Sequence, residues 1–167
     1  MSAANIEQLI AVLERTESVY QQLLPVFQKE KKAALSSDPE QLSCAVADKK
    51  ALLAQMRTLE HQRQLLINRI SAIWNVPVKE IRLSGLADRT QGTQAARLRR
   101  LNISLRELVQ KIKRANAENR TLIQHCLHIV HGAFGFLQHW MIPTDIYGSS
   151  GQMNHRHNNG NLVSGDI

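Results

Sequence analysis

Residues 95–140 carry a stripe that leaves few folds open to this chain. Leu98, Leu105, Ile112, Asn119, Cys126, Ala133 and Trp140 recur every seven residues, interleaved with Leu101, Leu108, Ala115, Leu122, Ile129 and Phe136. The steps alternate three and four over six heptads, the spacing that seats the side chains of one helix between those of another. At 1.5 Å per residue this segment predicts one helix of ~69 Å. A helix that long with one apolar face has to lay that face against other helices.

Two earlier segments offer matching faces. Ile6, Leu13, Tyr20, Phe27 and Ala34 recur at sevens, with Leu9, Ile10, Leu23 and Leu24 on the same side, which predicts a helix to about Ser36. Pro25 falls inside it and predicts a kink, because proline removes a backbone donor and crowds the preceding turn. Asp38-Pro39 then reads as an N-cap followed by a first-turn proline. The helix they open carries Ala45, Leu52, Leu59, Leu66 and Ile73 at sevens, with Leu42, Met56 and Ile70 on its seam, and stops at Asn75-Val76-Pro77. Val78 to Leu83 predicts one or two helical turns, with Gly85 as a stop and Thr90-Gln91-Gly92-Thr93 as a loop.

The expected fold is therefore all-α: an elongated antiparallel helical bundle or coiled coil of three long helices, with a short helix between the second and third. The expected division is a helical bundle over 1–142 and a flexible polar tail over 143–167, where four Gly, three Ser and four Asn leave little to bury. Two apolar islands in the tail, Ile146-Tyr147 and Leu162-Val163, are candidate docking points. Composition agrees with the helical reading: 43% of the 167 residues are apolar but only 4% are aromatic, and eight Gly and four Pro are too few for a turn-rich β-sandwich. Two cysteines cannot build a disulfide framework and read as small core residues, Cys126 on the seam and Cys44 beside Ala45. The start, with Glu7 and Glu14 inside its apolar stretch, does not read as a signal peptide, and no run of 18 uncharged apolar residues predicts a membrane span. The expected setting is cytoplasmic.

The net charge of +7 is uneven. Residues 1–75 hold nine basic and eight acidic groups, residues 76–140 eleven and four, and the remainder one and two. Most of the excess is Arg97, Arg99, Arg100, Arg106, Lys111, Lys113, Arg114 and Arg120. Three meanings compete: a solvated bundle face whose long side chains cover core edges, a phosphate-binding surface, and a surface for an acidic protein. The stretch contains no stacking aromatic, zinc spacing or helix-turn-helix signal, so nucleic acid is not the expected partner. A basic coiled-coil nucleic-acid-binding or regulatory protein is the alternative to the reading below, and a coiled-coil homodimer shares the same heptads.

No reaction chemistry stands out. His125, His128 and His131 are three apart and His139 follows, yet they fall off the seam, drift round the helix and have no carboxylate between Glu118 and Asp145. No metal and no cofactor are expected. Carboxylates look scattered on outward faces, and phosphate loops, nucleophile elbows and Cys-x-x-Cys pairs are absent, so no enzyme is expected. Asn119 reads either as a buried amide that fixes helix register or as a sign of an open bundle, and register is preferred. Gly132 and Gly135 flank Phe134 and Phe136, with Leu137 and Trp140 beyond. Interior glycines cost ~1 kcal/mol each relative to alanine, and Phe134 lies off the stripe. A loosened helix end with surplus apolar surface reads as ordinary core or as a face for another protein's helix, and the off-stripe Phe134 favours the second.

The order of these features resembles the FlgN-type flagellar export chaperones. The second helix reads Asp48-Lys49-Lys50-Ala51-Leu52-Leu53 and then Leu59-Glu60-His61-Gln62-Arg63, similar to that family's acidic-Lys-x-x-Leu-Leu and Leu-Glu-Gln-Gln-Arg run. Pro143-Thr144-Asp145-Ile146-Tyr147-Gly148 followed by Gly151-Gln152 is similar to its Pro…Leu-Tyr-Gly…Gly-Gln tail, with Ile146 in place of leucine. The resemblance implies a non-enzymatic chaperone that binds the C-terminal helical region of hook–filament junction proteins of the FlgK and FlgL type and hands them to the flagellar type III export apparatus. It places cargo on about Leu122 to Trp140, hence on Leu122, Ile129, Ala133, Phe134, Phe136, Leu137 and Trp140. It places docking on an FlhA-type export gate at Ile146, Tyr147 and Gly148. The strong basic excess and the His-rich tail depart from the family pattern.

Overall fold

The computed structural model describes the backbone of residues 2–141 and the side chains of residues 4–138. In chain order the elements are α1 (Ser2–Leu35), α2 (Pro39–Trp74), a single 3-10 turn at Val78–Glu80, α3 (Leu83–Arg89) and α4 (Gly92–Met141). The protein is an all-α helical bundle. The described residues fall into two compact units, Met1–Cys126 and a second that begins at Leu127.

In the first unit α1 and α2 form an antiparallel hairpin with a turn of three residues between them. Ser37 takes a left-handed φ of 52° there. Ser36 N–H donates to Lys32 O at 3.0 Å and Asp38 N–H to Ala33 O at 3.1 Å, so these two carbonyls of the last turn of α1 are satisfied. Asp38 caps α2 by accepting from Gln41 N–H at 2.9 Å, with Pro39 at the first helical position as expected. At the far end Asn75 adopts φ 51° and closes the helix on Ser71 O. Helix α4 runs parallel to α1: Arg97 meets Glu7 and Glu14, Arg100 meets Glu17, and Asn119 meets Glu30.

The core is one cluster shared by the elements of this unit. Leu9, Ile10, Leu13 and Leu23 of α1 pack with Leu52, Leu59, Leu66 and Ile70 of α2, Leu86 and Ala87 of α3, and Leu98 and Leu101 of α4. Each fully buried leucine or isoleucine stabilises the bundle by roughly 1.5–3 kcal/mol. That packing holds α1 as one helix through Pro25. Pro25 is exposed, as is Gln21, whose carbonyl loses its helical donor, so water can satisfy it.

Five expectations need correction. Gly85 lies inside α3 instead of ending a helix, and the loop before α4 shrinks to Thr90-Gln91, with Gly92 opening α4 at φ +67°. Such a left-handed entry suits glycine, which the sequence shows only as a turn residue. Ile73 is 48% exposed although it continues the sevens of α2, while Ile67 and Ile70 are buried. A straight helix drifts about 20° per heptad against a strict seven-residue repeat, so the core face has moved on by the fifth repeat. Cys44 is exposed, one residue and therefore about 100° away from buried Ala45, and Cys126 is only half-buried. The carboxylates, finally, are not all scattered outward, as the bundle's polar contacts show.

Candidate functional site

Among the described residues three polar side chains are buried: Glu17, Glu30 and Asn119. The Asn119 amide donates to Phe27 O at 2.8 Å and to Glu30 Oε2 at 2.9 Å. The other Glu30 oxygen accepts from Lys49 Nζ, whose ammonium also lies 5.5 Å from the Phe27 ring centroid. One carboxylate thus ties α1 to both α2 and α4, and Asn119 is the buried amide that the register reading requires. Glu17 accepts from Arg100 Nη2 at 3.0 Å and from Ser104 Oγ. Sliding α4 by one residue along α1 would break the bonds that α4 makes here, leaving Glu17 buried without its donors and Glu30 with Lys49 alone.

Along the rim, Arg97 donates to Glu7 at 2.6 Å and forks onto Glu14 at 2.9 and 3.0 Å. Lys31 reaches Glu118 at 3.2 Å, and Arg114 meets the same carboxylate at 3.1 Å. Arg97, with Gln94, holds the Glu7 carboxyl below its ordinary range, and Lys31 with Arg114 does the same for Glu118. Part of the basic excess of α4 therefore answers acidic residues of α1. The sequence does carry a trace of this, since Glu7 and Glu14 are seven apart and Arg97 and Arg100 flank the α4 seam. Glu17, Glu30 and Lys49 had no such trace.

Beyond Cys126 the character of α4 changes. Leu127, Ile129, Val130, Phe134, Phe136 and Leu137 each expose between 48% and 69% of their surface. Ala133 is exposed too, whereas Leu122 is half-buried within the first unit. Of the residues expected to hold cargo, Ile129, Ala133, Phe134, Phe136 and Leu137 thus share one exposed helical segment, and Leu122 stands at its edge. The Trp140 side chain and the docking residues Ile146, Tyr147 and Gly148 lie outside the described residues. An ideal Cβ at Gly132 or Gly135 meets nothing within 4 Å, so neither glycine is required by close packing.

His125, His128 and His131 are exposed. Among the described residues no group of three or more His, Cys, Asp or Glu could hold a metal ion. Among the same residues no helix is long and apolar enough to cross a membrane. What this geometry offers is adhesive surface: a polar-pinned bundle, a run of exposed apolar side chains and a set of cations.

A family model described as FlgN protein matches residues 1–155, which is most of the chain. No curated protein and no solved structure matches it. The three long helices are the arrangement that the sequence resemblance led us to expect. The chain belongs to the FlgN family of flagellar export chaperones.

Proposed function

We propose that this protein holds the C-terminal helical region of a hook–filament junction protein of the FlgK or FlgL type and presents it to an FlhA-type export gate. The observation that carries the reading is the run of six exposed large apolar side chains between Leu127 and Leu137. Water-exposed apolar area of this kind on a helix is the surface that another amphipathic helix covers. Burying it gains roughly 25 cal/mol per Å2 before the cost of ordering, so ~800 Å2 of contact suffices for firm yet reversible holding. No reaction is needed, because a covered cargo helix can neither polymerise nor aggregate. Docking on the gate is assigned to Ile146, Tyr147 and Gly148 on the strength of the family's tail motif, so that cargo and gate use different parts of the chain.

Titration calorimetry with the purified C-terminal segment of a junction protein tests this. Removing Ile129 and Phe134 together, as Ile129→Ser/Phe134→Ser, is expected to weaken cargo binding by more than about 100-fold, at roughly 1.5–3 kcal/mol per buried side chain. Tyr147→Ala is expected to leave cargo affinity unchanged and to lower affinity for the isolated cytoplasmic domain of the gate. Unchanged cargo binding in the double variant, or its loss in Tyr147→Ala, would overturn this division.

A further inference from the structure

The rim contacts do not use up the cations of α4. Arg99, Arg106, Lys113 and Arg120 stand at intervals of seven on one face of the helix, and all are exposed. Among the described residues, Arg106, Lys113 and Arg120 have no carboxylate within salt-bridge distance, and Arg99 has only the exposed Asp88 at 3.5 Å. Four residues after each cation comes an exposed uncharged one, Ile103, Gln110, Ala117 and Gln124 respectively. The steps along this face therefore alternate four and three, as on the buried seam, and the whole face lies within Met1–Cys126. Within Met1–Cys126, α4 thus carries two seams, one apolar and packed into the core, the other cationic and open to water. Successive cations lie ~10.5 Å apart along the axis and the row turns by about 20° per heptad, the path that a helix coiled around α4 would follow.

We infer that this second seam docks an acidic amphipathic helix of a protein partner, whose carboxylates at heptad spacing would face Arg99, Arg106, Lys113 and Arg120. Charge complementarity selects the occupant: none of the eight positions is acidic and none is aromatic, so it suits carboxylates but gives bases nothing to stack on. The uncharged residues between the cations let the backbones approach, with Ile103, 61% exposed, as the apolar contact at one end. A polyanion without helical order would take any exposed cation, Lys111 included. Lys111 lies five residues after Arg106 and so about 140° round the helix, off the seam. The inference stands apart from the cargo reading, since it uses none of the residues from Leu127 onward.

Fluorescence anisotropy on the full chain tests it, with three probes: a synthetic helical peptide bearing two glutamates per heptad, a scrambled peptide of the same composition, and a short DNA duplex. Arg106→Glu/Lys113→Glu is expected to weaken the heptad peptide about tenfold or more, whereas Lys111→Glu changes it less than about twofold. The scrambled peptide is expected to bind at least about fivefold more weakly than the ordered one. Circular dichroism confirms that each variant keeps its helices, and Arg106→Gln/Lys113→Gln replaces the reversal if it does not. Equal losses in Lys111→Glu and the double variant would overturn the proposal, as would equal binding of the two peptides. Tighter binding of the duplex than of the ordered peptide would overturn it in favour of a phosphate surface.

Discussion

Asn119 and Glu30 show how much a single buried polar contact governs here. Glu30 is 2% exposed and is neutralised by Lys49 alone, while Asn119 supplies its second donor. Lys49→Met would leave a buried charge without its counter-ion and is expected to cost about 3–5 kcal/mol in urea unfolding. Asn119→Leu removes only a donor and is expected to cost about 1–3 kcal/mol. Replacing all three, as Glu30→Leu/Lys49→Met/Asn119→Leu, is expected to be milder than Lys49→Met alone, because no charge then remains inside. A triple variant weaker than Lys49→Met would show that the network contributes stability beyond its desolvation cost. Asn119 was legible beforehand as the one strongly polar residue on the seam. Its partner was not, because Glu30 looks like any other acidic residue on a long helix until α2 and α4 close over it.

The helices differ in how far their patterns predicted them. Helix α4 and the capped start of α2 follow from heptads and from Asp38-Pro39, since both signals are local. The stretch from Val78 to Arg89 was misread around Gly85 because a helix of seven residues is held by packing of Leu86 and Ala87, not by its own sequence. Two predictions belong to α4 as an element. Gly132→Ala/Gly135→Ala meets no steric obstacle, so it is expected to slow amide exchange around residues 130–137, at up to ~1 kcal/mol per site. Unaltered exchange would mean that the glycines do not loosen that segment. The second concerns the clamp between α1 and α4. Because Glu7 and Glu118 have lowered pKa values in the folded chain, their contribution is present above the ordinary carboxylate range and is lost as pH falls through the lowered values. Glu7→Gln/Glu118→Gln should therefore unfold at a lower temperature than the parent near neutrality, with the gap closing as pH falls through and below the ordinary carboxylate range. A gap that stays constant with pH would show that these ion pairs do not stabilise the docking.

Taken as one molecule, the chain divides its apolar residues between two roles. The buried ones, between Ile6 and Leu108, fill a core that polar pins hold in a single register, while Leu127, Ile129, Val130, Phe134, Phe136 and Leu137 remain exposed. A globular domain serving only its own stability would have little reason to keep two phenylalanines, two leucines, an isoleucine and a valine so open to water. The heptads alone did not reveal the change, because the seam spacing continues unbroken from Leu98 to Trp140 while burial ends near Cys126. Spacing reports which residues share a face and is silent on whether anything covers it.

Amide hydrogen exchange on the full-length protein, alone and saturated with the C-terminal helical segment of a FlgK- or FlgL-type junction protein, addresses the cargo reading directly. Exchange is expected to slow across residues 127–137 on adding the segment and to stay as it was in the core stretches of α1 and α2. Protection that appears only in the bundle, or none at all at saturating cargo, would contradict it.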